Sequence, residues 1–290
     1  MKTLRKQVYS YSFIIPAAIL YVVLFIIPTF SSFYFSMTRW DLYESEFTGI
    51  ENFILFFKES SLSIGLRNTL FFAVVTCGVK AVLGLLLALL LNSGLKTQGY
   101  LRAVFFFPAI LSTVAVGLLF TSIMHPTTGL INQVLAKIGL GFIQPDWLGD
   151  TKLVMLSVSL VDIWKGVGIA TVIYIAGLQS IPRQYYEAIG IDGGNSLQKF
   201  RYITLPLVKP AMNSVIILAL IGGLRSFEIV YVMTKGGPGF ASDILSTVIY
   251  KQFADGYYGL ATAGNVLLFV LVSAIAFPLY LFINRNEVEY

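Results

Sequence analysis

The sequence has little charge, one cysteine and one histidine among its 290 residues. Charged side chains make up 12% of the chain and hydrophobic ones 57%, whereas a soluble domain carries about a quarter charged residues. This balance argues against a soluble globular domain and predicts a protein that lies in lipid. Cys77 cannot form a disulfide bond within the chain, and its apolar surroundings favour a packing role. His125 has no cysteine or carboxylate near it in the sequence, so no metal site is predicted.

Catalytic motifs are also missing. The chain contains no Gly-x-x-x-x-Gly-Lys-Ser/Thr motif, so it cannot hydrolyse ATP with a P-loop. No cluster of nucleophile, acid and base suggests an enzyme, and no cofactor is expected within the chain. The net charge of +5 could indicate nucleic-acid binding, but the basic residues form no stripe outside the apolar runs. No nucleic-acid partner is therefore predicted.

Six apolar stretches are long enough to cross a bilayer as helices, which requires about 20 mostly apolar residues. They cover residues 13–35, 69–91, 101–123, 153–178, 211–233 and 260–283. The first stretch is too long for the apolar part of a signal peptide, and no small-residue cleavage site follows it, so we expect it to remain as a span. The predicted fold is an all-α integral membrane protein with six transmembrane helices, in a single transmembrane domain over residues 1–290.

The lysines and arginines predict the direction of these spans. They are frequent before the first span, where Lys2, Arg5 and Lys6 lie, and in the segments after the second, fourth and sixth spans. The longer alternate loops hold fewer of them. Because cytoplasmic loops carry the excess of lysine and arginine, both termini are predicted to be cytoplasmic. The sequence has no convincing internal repeat of the kind found in many secondary transporters.

The segment between the fourth and fifth spans, about residues 179–209, begins with the pattern of a short helix. Pro182 can occupy the first turn of a helix, where its missing N–H group has no partner to lose. Tyr185, Ala188 and Ile189 would then lie on one face.

A sharp turn and a second short helix follow. Gly193-Gly194 permits the positive φ of a chain reversal. Asn195 or Ser196 can cap the second helix, and Leu205-Pro206 would end it. The two helices predict a bracket on the cytoplasmic membrane face that docks a soluble partner. A loop that only packs against the spans is the alternative.

This segment resembles the EAA motif of binding-protein-dependent ABC importers, which reads Glu-Ala-Ala, two variable residues, Asp-Gly-Ala and later Ile-x-Leu-Pro. Ile189 and Gly194 replace two of the usual alanines. The matching residues are Glu187, Ala188, Asp192, Gly193, Ile203, Leu205 and Pro206. Further matches lie at residues 68–70, 101–108, 129–132, 177–182 and 234–238. The ordered set resembles the sugar-permease branch, which includes maltose-type and glycerol-phosphate-type importers.

The resemblance implies the type I ABC-importer permease fold and transport by alternating access. The bracket would sit in a cleft of a separate ATP-binding subunit, which would bind ATP and Mg, with Glu187 as the polar contact and Gly193 as the hinge. The implied coupling residues are Tyr185, Glu187, Ala188, Ile189, Asp192, Gly193, Phe200, Leu205 and Pro206. The implied partners are a second homologous permease, two ATP-binding cassette subunits, an extracellular substrate-binding protein, membrane lipid and a sugar substrate. The location would be a prokaryotic cytoplasmic membrane.

Apart from Arg102 at the start of the third stretch, five charged residues fall within the predicted spans, where a charge is costly unless it faces protein or water. At 1.5 Å per helical residue, Lys80, Asp162, Lys165, Arg225 and Glu228 lie in one layer between the outer surface and the midplane. The spacing places Asp162 and Lys165 on one helix face, and Arg225 and Glu228 on another. These residues are predicted either to line a substrate vestibule or to form internal ion pairs that hold spans two, four and five together.

Aromatic residues near these charges are candidate stacking surfaces for sugar rings, and they include Tyr174. The candidate substrate path comprises Asp162, Trp164, Lys165, Arg225, Phe227, Glu228 and Tyr231. An oligosaccharide, a glycerol phosphodiester and a uronic-acid oligomer all fit it, and the small excess of cations favours an anionic ligand. The alternative function is a stand-alone secondary sugar transporter, which would need more spans and no docking bracket. A membrane-embedded enzyme would need a catalytic cluster.

Overall fold

The computed structural model describes residues 13–93 and 96–285, and these residues are mostly helical. The predicted N-terminal cations Lys2, Arg5 and Lys6 lie outside this part of the chain. The α-helices are α1 (Ile15–Tyr21), α2 (Ile27–Phe35), α3 (Glu51–Lys58), α4 (Ser60–Leu91), α5 (Gln98–Ile110), α6 (Thr113–Ile123), α7 (Leu130–Lys137), α8 (Val154–Gln179), α9 (Arg183–Ile191), α10 (Ser196–Lys199), α11 (Leu205–Leu207), α12 (Lys209–Leu224), α13 (Glu228–Thr234), α14 (Leu245–Ala254) and α15 (Tyr258–Asn284).

Two π-helical segments and a small hairpin complete the secondary structure of the described residues. Val22–Ile26 joins α1 to α2, and Phe200–Thr204 joins α10 to α11. The hairpin pairs β1 (Thr38–Trp40) with β2 (Ser45–Phe47) in antiparallel register.

Within the described residues, four helical stretches are long and apolar enough to cross a membrane as they stand. They are Ile15–Phe35, Ser60–Leu91, Val154–Gln179 and Tyr258–Asn284, which correspond to the first, second, fourth and sixth predicted stretches. Two bent helix pairs, α5 with α6 and Ser196–Leu207 with α12, raise the number to six if each pair is one span. The all-α membrane character of the prediction is confirmed.

The second span is longer than predicted. α4 begins at Ser60 rather than at residue 69 and runs for 32 residues, or about 48 Å at 1.5 Å per residue. The first two turns of α4 are too polar to be counted as part of an apolar span. The helix nevertheless continues through them, because no glycine–proline break interrupts it there.

The third predicted stretch, residues 101–123, is not one straight helix. α5 and α6 meet at 96° because Leu111 and Ser112 have extended backbone, with ψ of 144° and 131°. Pro108 lies in the last turn of α5, where it donates no hydrogen bond to the preceding turn. Hydropathy stays high across the bend, so composition alone predicts a continuous span.

The fifth predicted stretch, residues 211–233, is also interrupted. α12 ends at Leu224 and α13 begins at Glu228, so the intervening residues form a break. Phe227 has φ of −142° and ψ of −63°, outside the helical region. The polar pair Arg225-Ser226 marks the break, but the apolar residues on both sides hide it from a hydropathy window.

The described chain divides into two compact units, one of residues 13–56 and 249–267 and the other of residues 57–248 and 268–285. In the first unit the buried Asn52 side chain donates hydrogen bonds to the Ser36 and Thr38 carbonyl oxygens at 2.9 and 2.8 Å. The single-domain interpretation of residues 1–290 stays a prediction.

In the second unit, glycines allow the span helices to approach one another closely. A Cβ atom on Gly84 of α4 would meet the Ala170 Cβ of α8 at 2.8 Å, and one on Gly223 of α12 would meet the Ala73 Cα of α4 at 2.8 Å. Lipid tails are as apolar as the side chains, so close packing between small residues, rather than water exclusion, stabilises such contacts. Tyr174 lies at the centre of the apolar cluster formed by α4, α8 and α12.

We expect Gly168→Ala to destabilise the protein. A Cβ there would meet the Phe105 carbonyl oxygen and, at 3.0 Å, the Phe106 Cα, and backbone atoms of α5 cannot swing aside as a side chain can. Overpacking of this kind costs about 1–3 kcal/mol, so the midpoint of thermal unfolding in detergent should fall. Gly78→Ala is the matched control, because nothing lies within 4 Å of its added methyl group. Equal midpoints for the two variants would contradict this packing.

Candidate functional site

The first helix of the predicted bracket, α9, begins directly after Pro182. Pro182 has extended backbone, with φ of −60° and ψ of 133°, so it occupies the N-cap position rather than the first turn. The prediction placed it one position too far into the helix. Gly193 has φ of +75°, which confirms the predicted reversal after α9.

Asn195 caps the second helix through a reciprocal pair of hydrogen bonds. Its Oδ1 accepts from the Gln198 N–H at 2.9 Å, and its own N–H donates to Gln198 Oε1 at 2.7 Å. This capping box satisfies two N–H groups that a helix start otherwise leaves unpaired. Of the two caps that the sequence allowed, the structure therefore uses Asn195.

The second helix does not end at Leu205-Pro206, as the sequence pattern predicted. It continues through the π-helical segment Phe200–Thr204 and α11, and α12 then departs at 64°. In the π-helical segment the Leu205 N–H donates to the Phe200 carbonyl oxygen, five residues back. Pro206 is tolerated because it lies in the first turn of α11, so the chain bends after Leu207 instead.

One hydrogen bond that the sequence pattern missed joins the two halves of the bracket. The Tyr186 hydroxyl lies 3.0 Å from Thr204 Oγ1, and the Tyr186 ring packs against the apolar cluster of α4, α8 and α12. Ile189 and Gly194 also fit each other, because a Cβ on Gly194 would meet Ile189 Cγ1 at 2.6 Å. A larger and a smaller residue thus share the space of the two usual alanines.

Most of the predicted coupling residues lie on the surface. Ile189, Phe200 and Leu205 are half-buried, whereas the exposed ones are Tyr185, Glu187, Ala188, Asp192, Gly193 and Pro206. Two strongly exposed apolar residues were missed: Ile191 at 87% and Leu197 at 72%. The sequence indicates them only as apolar residues at positions where the EAA motif allows any residue. Together they give the bracket an apolar surface with no partner in the described chain.

In the membrane-spanning helices, an ion pair joins α4 to α8. Lys80 Nζ lies 2.5 Å from Asp162 Oδ2, and the two side chains are only 11% and 21% exposed. Gly166, one turn after Asp162, leaves room for the lysine, since a Cβ there would meet Lys80 Cε at 2.7 Å. The expected ion pair between spans two and four is present, but the partner of Asp162 is Lys80 and not Lys165.

The other two charges flank the break in the fifth span. Arg225 and Glu228 are exposed, and among the described residues no ion pair joins them. Glu228 lies in the first turn of α13, where the helix dipole favours a carboxylate. Phe227 and Tyr231 stack on each other, with ring centroids 5.2 Å apart. The break thus carries a cation, an anion and an aromatic pair.

The remaining path candidates differ in exposure. Trp164 is 39% exposed and packs at a tilt against Phe120, with centroids 5.1 Å apart, while Lys165 is half-buried. Tyr174 is fully buried, so the prediction that its ring stacks on sugar is wrong. Its spacing along α8 could not show that α4 and α12 cover it.

His125 organises a turn. Its Nδ1 accepts the Thr127 and Thr128 N–H groups at 3.4 and 3.3 Å. Across the part of the chain that the structure describes, no three His, Cys, Asp or Glu side chains come together as a metal site.

Comparisons with known proteins match this architecture. The family described as "Binding-protein-dependent transport system inner membrane component" matches residues 80–287. The chain is 32% identical over 283 residues to the trehalose/maltose transport system permease protein MalF of Thermococcus litoralis, covering 97% of this chain and 95% of that protein.

Two solved structures have the same fold. One is a bacterial ABC transporter involved in the import of the acidic polysaccharide alginate, with a TM-score of 0.84 and 23% identity over 96% of both chains. The other is the bacterial alginate ABC transporter in complex with an alginate pentasaccharide-bound periplasmic protein, with a TM-score of 0.80, 24% identity and coverage of 95% and 92%.

The predicted type I ABC-importer permease fold is confirmed by these structures, and the predicted family by the sequence matches. Members of this family are transport components rather than enzymes. The chain therefore belongs to the inner membrane components of binding-protein-dependent transport systems, as a multi-pass permease subunit of an ABC importer.

Proposed function

We propose that the chain forms half of the membrane pathway of an ATP-driven importer for sugars or oligosaccharides. The observation that carries the proposal is the bracket α9–α11, a capped helical element with an exposed apolar surface on a six-span chain that has no ATP-binding motif. The similarity to a trehalose/maltose permease over nearly the full length supports the substrate class. A stand-alone secondary transporter would have no use for such a bracket.

The proposed assembly contains a second homologous permease, two ATP-binding cassette subunits and an extracellular substrate-binding protein. ATP and Mg would be bound by the cassette subunits, not by this chain. The assembly would lie in a prokaryotic cytoplasmic membrane with both termini of this chain in the cytoplasm, on the same side as the bracket. Six spans are few for a complete pathway, so two permeases would line it together.

The bracket would transmit the closure of the cassette subunits to the spans. Glu187, Ile191 and Ala188 lie on one side of α9, because residues three and four apart share a helix face. The Tyr186–Thr204 hydrogen bond ties α9 to the π-helical segment that leads into α12. A force on α9 would thus reach the fifth span directly and drive alternating access.

The break between α12 and α13 is the proposed substrate contact. Broken spans expose backbone groups inside a transporter, and these groups are tolerated where they line a cavity. Arg225 and Glu228 offer charged hydrogen bonds there, and Phe227 with Tyr231 offers an aromatic surface for a sugar ring. The Lys80–Asp162 pair, by contrast, would hold α4 against α8.

Ile191→Asn should weaken the docking of the cassette subunit without unfolding the permease. The side chain is 87% exposed, so its loss changes the stability of the permease little. Burial of an isoleucine at an interface contributes about 1.5–3 kcal/mol, which corresponds to roughly a tenfold or greater loss of affinity. Co-purification of the cassette subunit and substrate-stimulated ATP hydrolysis measure the effect. Ile50→Asn, at an isoleucine 62% exposed outside the bracket, is the matched control. Unchanged docking in Ile191→Asn would exclude this surface as the joint.

Arg225→Gln and Glu228→Gln should each lower substrate uptake while leaving the amount of folded complex unchanged. Both side chains are exposed, and they do not pair with each other in the described chain. Neutralising one of them therefore leaves no buried charge without a partner. Loss of a charged hydrogen bond of about 1.5–3 kcal/mol predicts that uptake at limiting substrate slows roughly tenfold or more. Uptake in proteoliposomes and size-exclusion profiles separate the two effects. Normal uptake with reduced expression would disprove the path role.

Lys80→Met should lower the yield of folded protein, in contrast to the Arg225 and Glu228 variants, which should lower uptake. It leaves the Asp162 carboxylate without its cation in a mostly buried position, which costs about 3–5 kcal/mol in comparable pairs. The double variant with Asp162→Asn removes the stranded charge and should recover much of the folded yield. Detergent stability assays compare the two, and equal yields would show that the pair does not hold α4 against α8.

A further inference from the structure

Helix α7 presents an apolar stripe that nothing in the described chain covers. It lies in the connection between α6 and α8, in a segment that the proposed function does not use. Leu130, Val134 and Ile138 are 59%, 46% and 63% exposed. Leu130 and Val134 lie in the helix and Ile138 is its C-cap, so at a spacing of four residues they follow one side of a helix about 12 Å in length. Phe142, just beyond the helix, is 80% exposed.

At 100° per residue, α7 has three distinct sides. The stripe occupies one side, and the buried Asn132 defines a second. Gln133 and Ala136, both exposed, lie on the third. Lys137 falls at the border between the stripe and this third side. This arrangement suits a helix at a place where apolar surroundings, protein and water meet.

Asn132 anchors the helix in this orientation. Only 2% exposed, its side chain donates to the Pro126 and Pro145 carbonyl oxygens at 2.9 and 3.1 Å, and its Oδ1 accepts the Trp147 Nε1–H at 2.8 Å. The Gln144 side chain donates to the Asn132 carbonyl oxygen at 3.1 Å. These bonds join both ends of the connection, so the outward direction of the stripe is built into the fold.

The position of α7 in the chain indicates what would cover the stripe. α7 begins seven residues after Ile123, where α6 ends, and the candidate span α8 begins at Val154. The helix therefore lies between the end of one apolar span and the start of the next, which is the membrane boundary. A soluble protein that docks and leaves would return the stripe to water in every cycle, whereas the bilayer covers it permanently.

We propose that α7 is an interfacial helix that lies in the plane of the bilayer, with Leu130, Val134 and Ile138 inserted at the boundary between lipid headgroups and acyl chains. The side that holds Gln133 and Ala136 then faces water, and Lys137 extends its ammonium group to the headgroups from the border. The proposal depends on the membrane location of the chain and not on its substrate.

Spin-label accessibility tests this directly. Cys77 is the only cysteine of this chain, so Cys77→Ser gives a cysteine-free permease in which Val134→Cys carries a nitroxide that is attached before the transporter is assembled. The assembled transporter is placed in phosphatidylcholine–phosphatidylglycerol liposomes, and collision rates with oxygen and with a water-soluble nickel chelate are compared. Ala136→Cys is the matched control, about 160° around the helix from Val134.

The label at position 134 should collide several-fold more with oxygen, relative to the nickel chelate, than the label at 136. Equal ratios would place the stripe in water, and a label at 134 that reaches neither reagent would mean that a protein surface covers it. Either result overturns the proposal. If the Val134 variant does not fold, the same measurement at Ile138 decides, because both residues belong to the stripe.

Discussion

Inside a bilayer no water is available to satisfy a backbone N–H or C=O group, and most of the described chain follows from that constraint. Helices satisfy these groups internally, so the chain is almost all helix. Departures from regular helix then need a local explanation. At Val22–Ile26, inside the first span, the π-helical register supplies it, because the Ile27 N–H still donates to the Val22 carbonyl oxygen. Between α12 and α13 the helix simply stops, next to the exposed Arg225 and Glu228.

The same constraint separates two kinds of charge in the spans. Lys80 and Asp162 neutralise each other between α4 and α8, where a lone charge would be stranded. Arg225 and Glu228 make no such pair and lie where helical hydrogen bonding is interrupted. In the proposed function, the neutralised charges belong to the framework of the protein and the accessible ones to the substrate pathway. This distinction underlies the proposed division between structure and transport.

Local sequence patterns predicted local structure well. Asn195 caps a helix because its short side chain reaches the N–H group three residues on, and Gly193 turns the chain because it tolerates positive φ. Both effects act within a few residues, so the sequence contains them completely. The bend at Leu111 and Ser112 was not predictable in this way. Hydropathy measures composition, so it does not change where two residues of an apolar run adopt extended backbone.

Contacts between side chains on different helices could not be predicted from helical spacing for a related reason. Helical spacing placed Asp162 beside Lys165, but α4 brings Lys80 within 2.5 Å, across a gap that Gly166 keeps open. Tyr174 could be placed on α8 but not recognised as buried. The sequence by itself determined the membrane class, the approximate positions of the spans, the helix–turn–helix form of the bracket and the family, since these depend on composition and short-range order. Only the tertiary structure decided which charges are paired, which rings are covered and where spans break, because those depend on which helices meet.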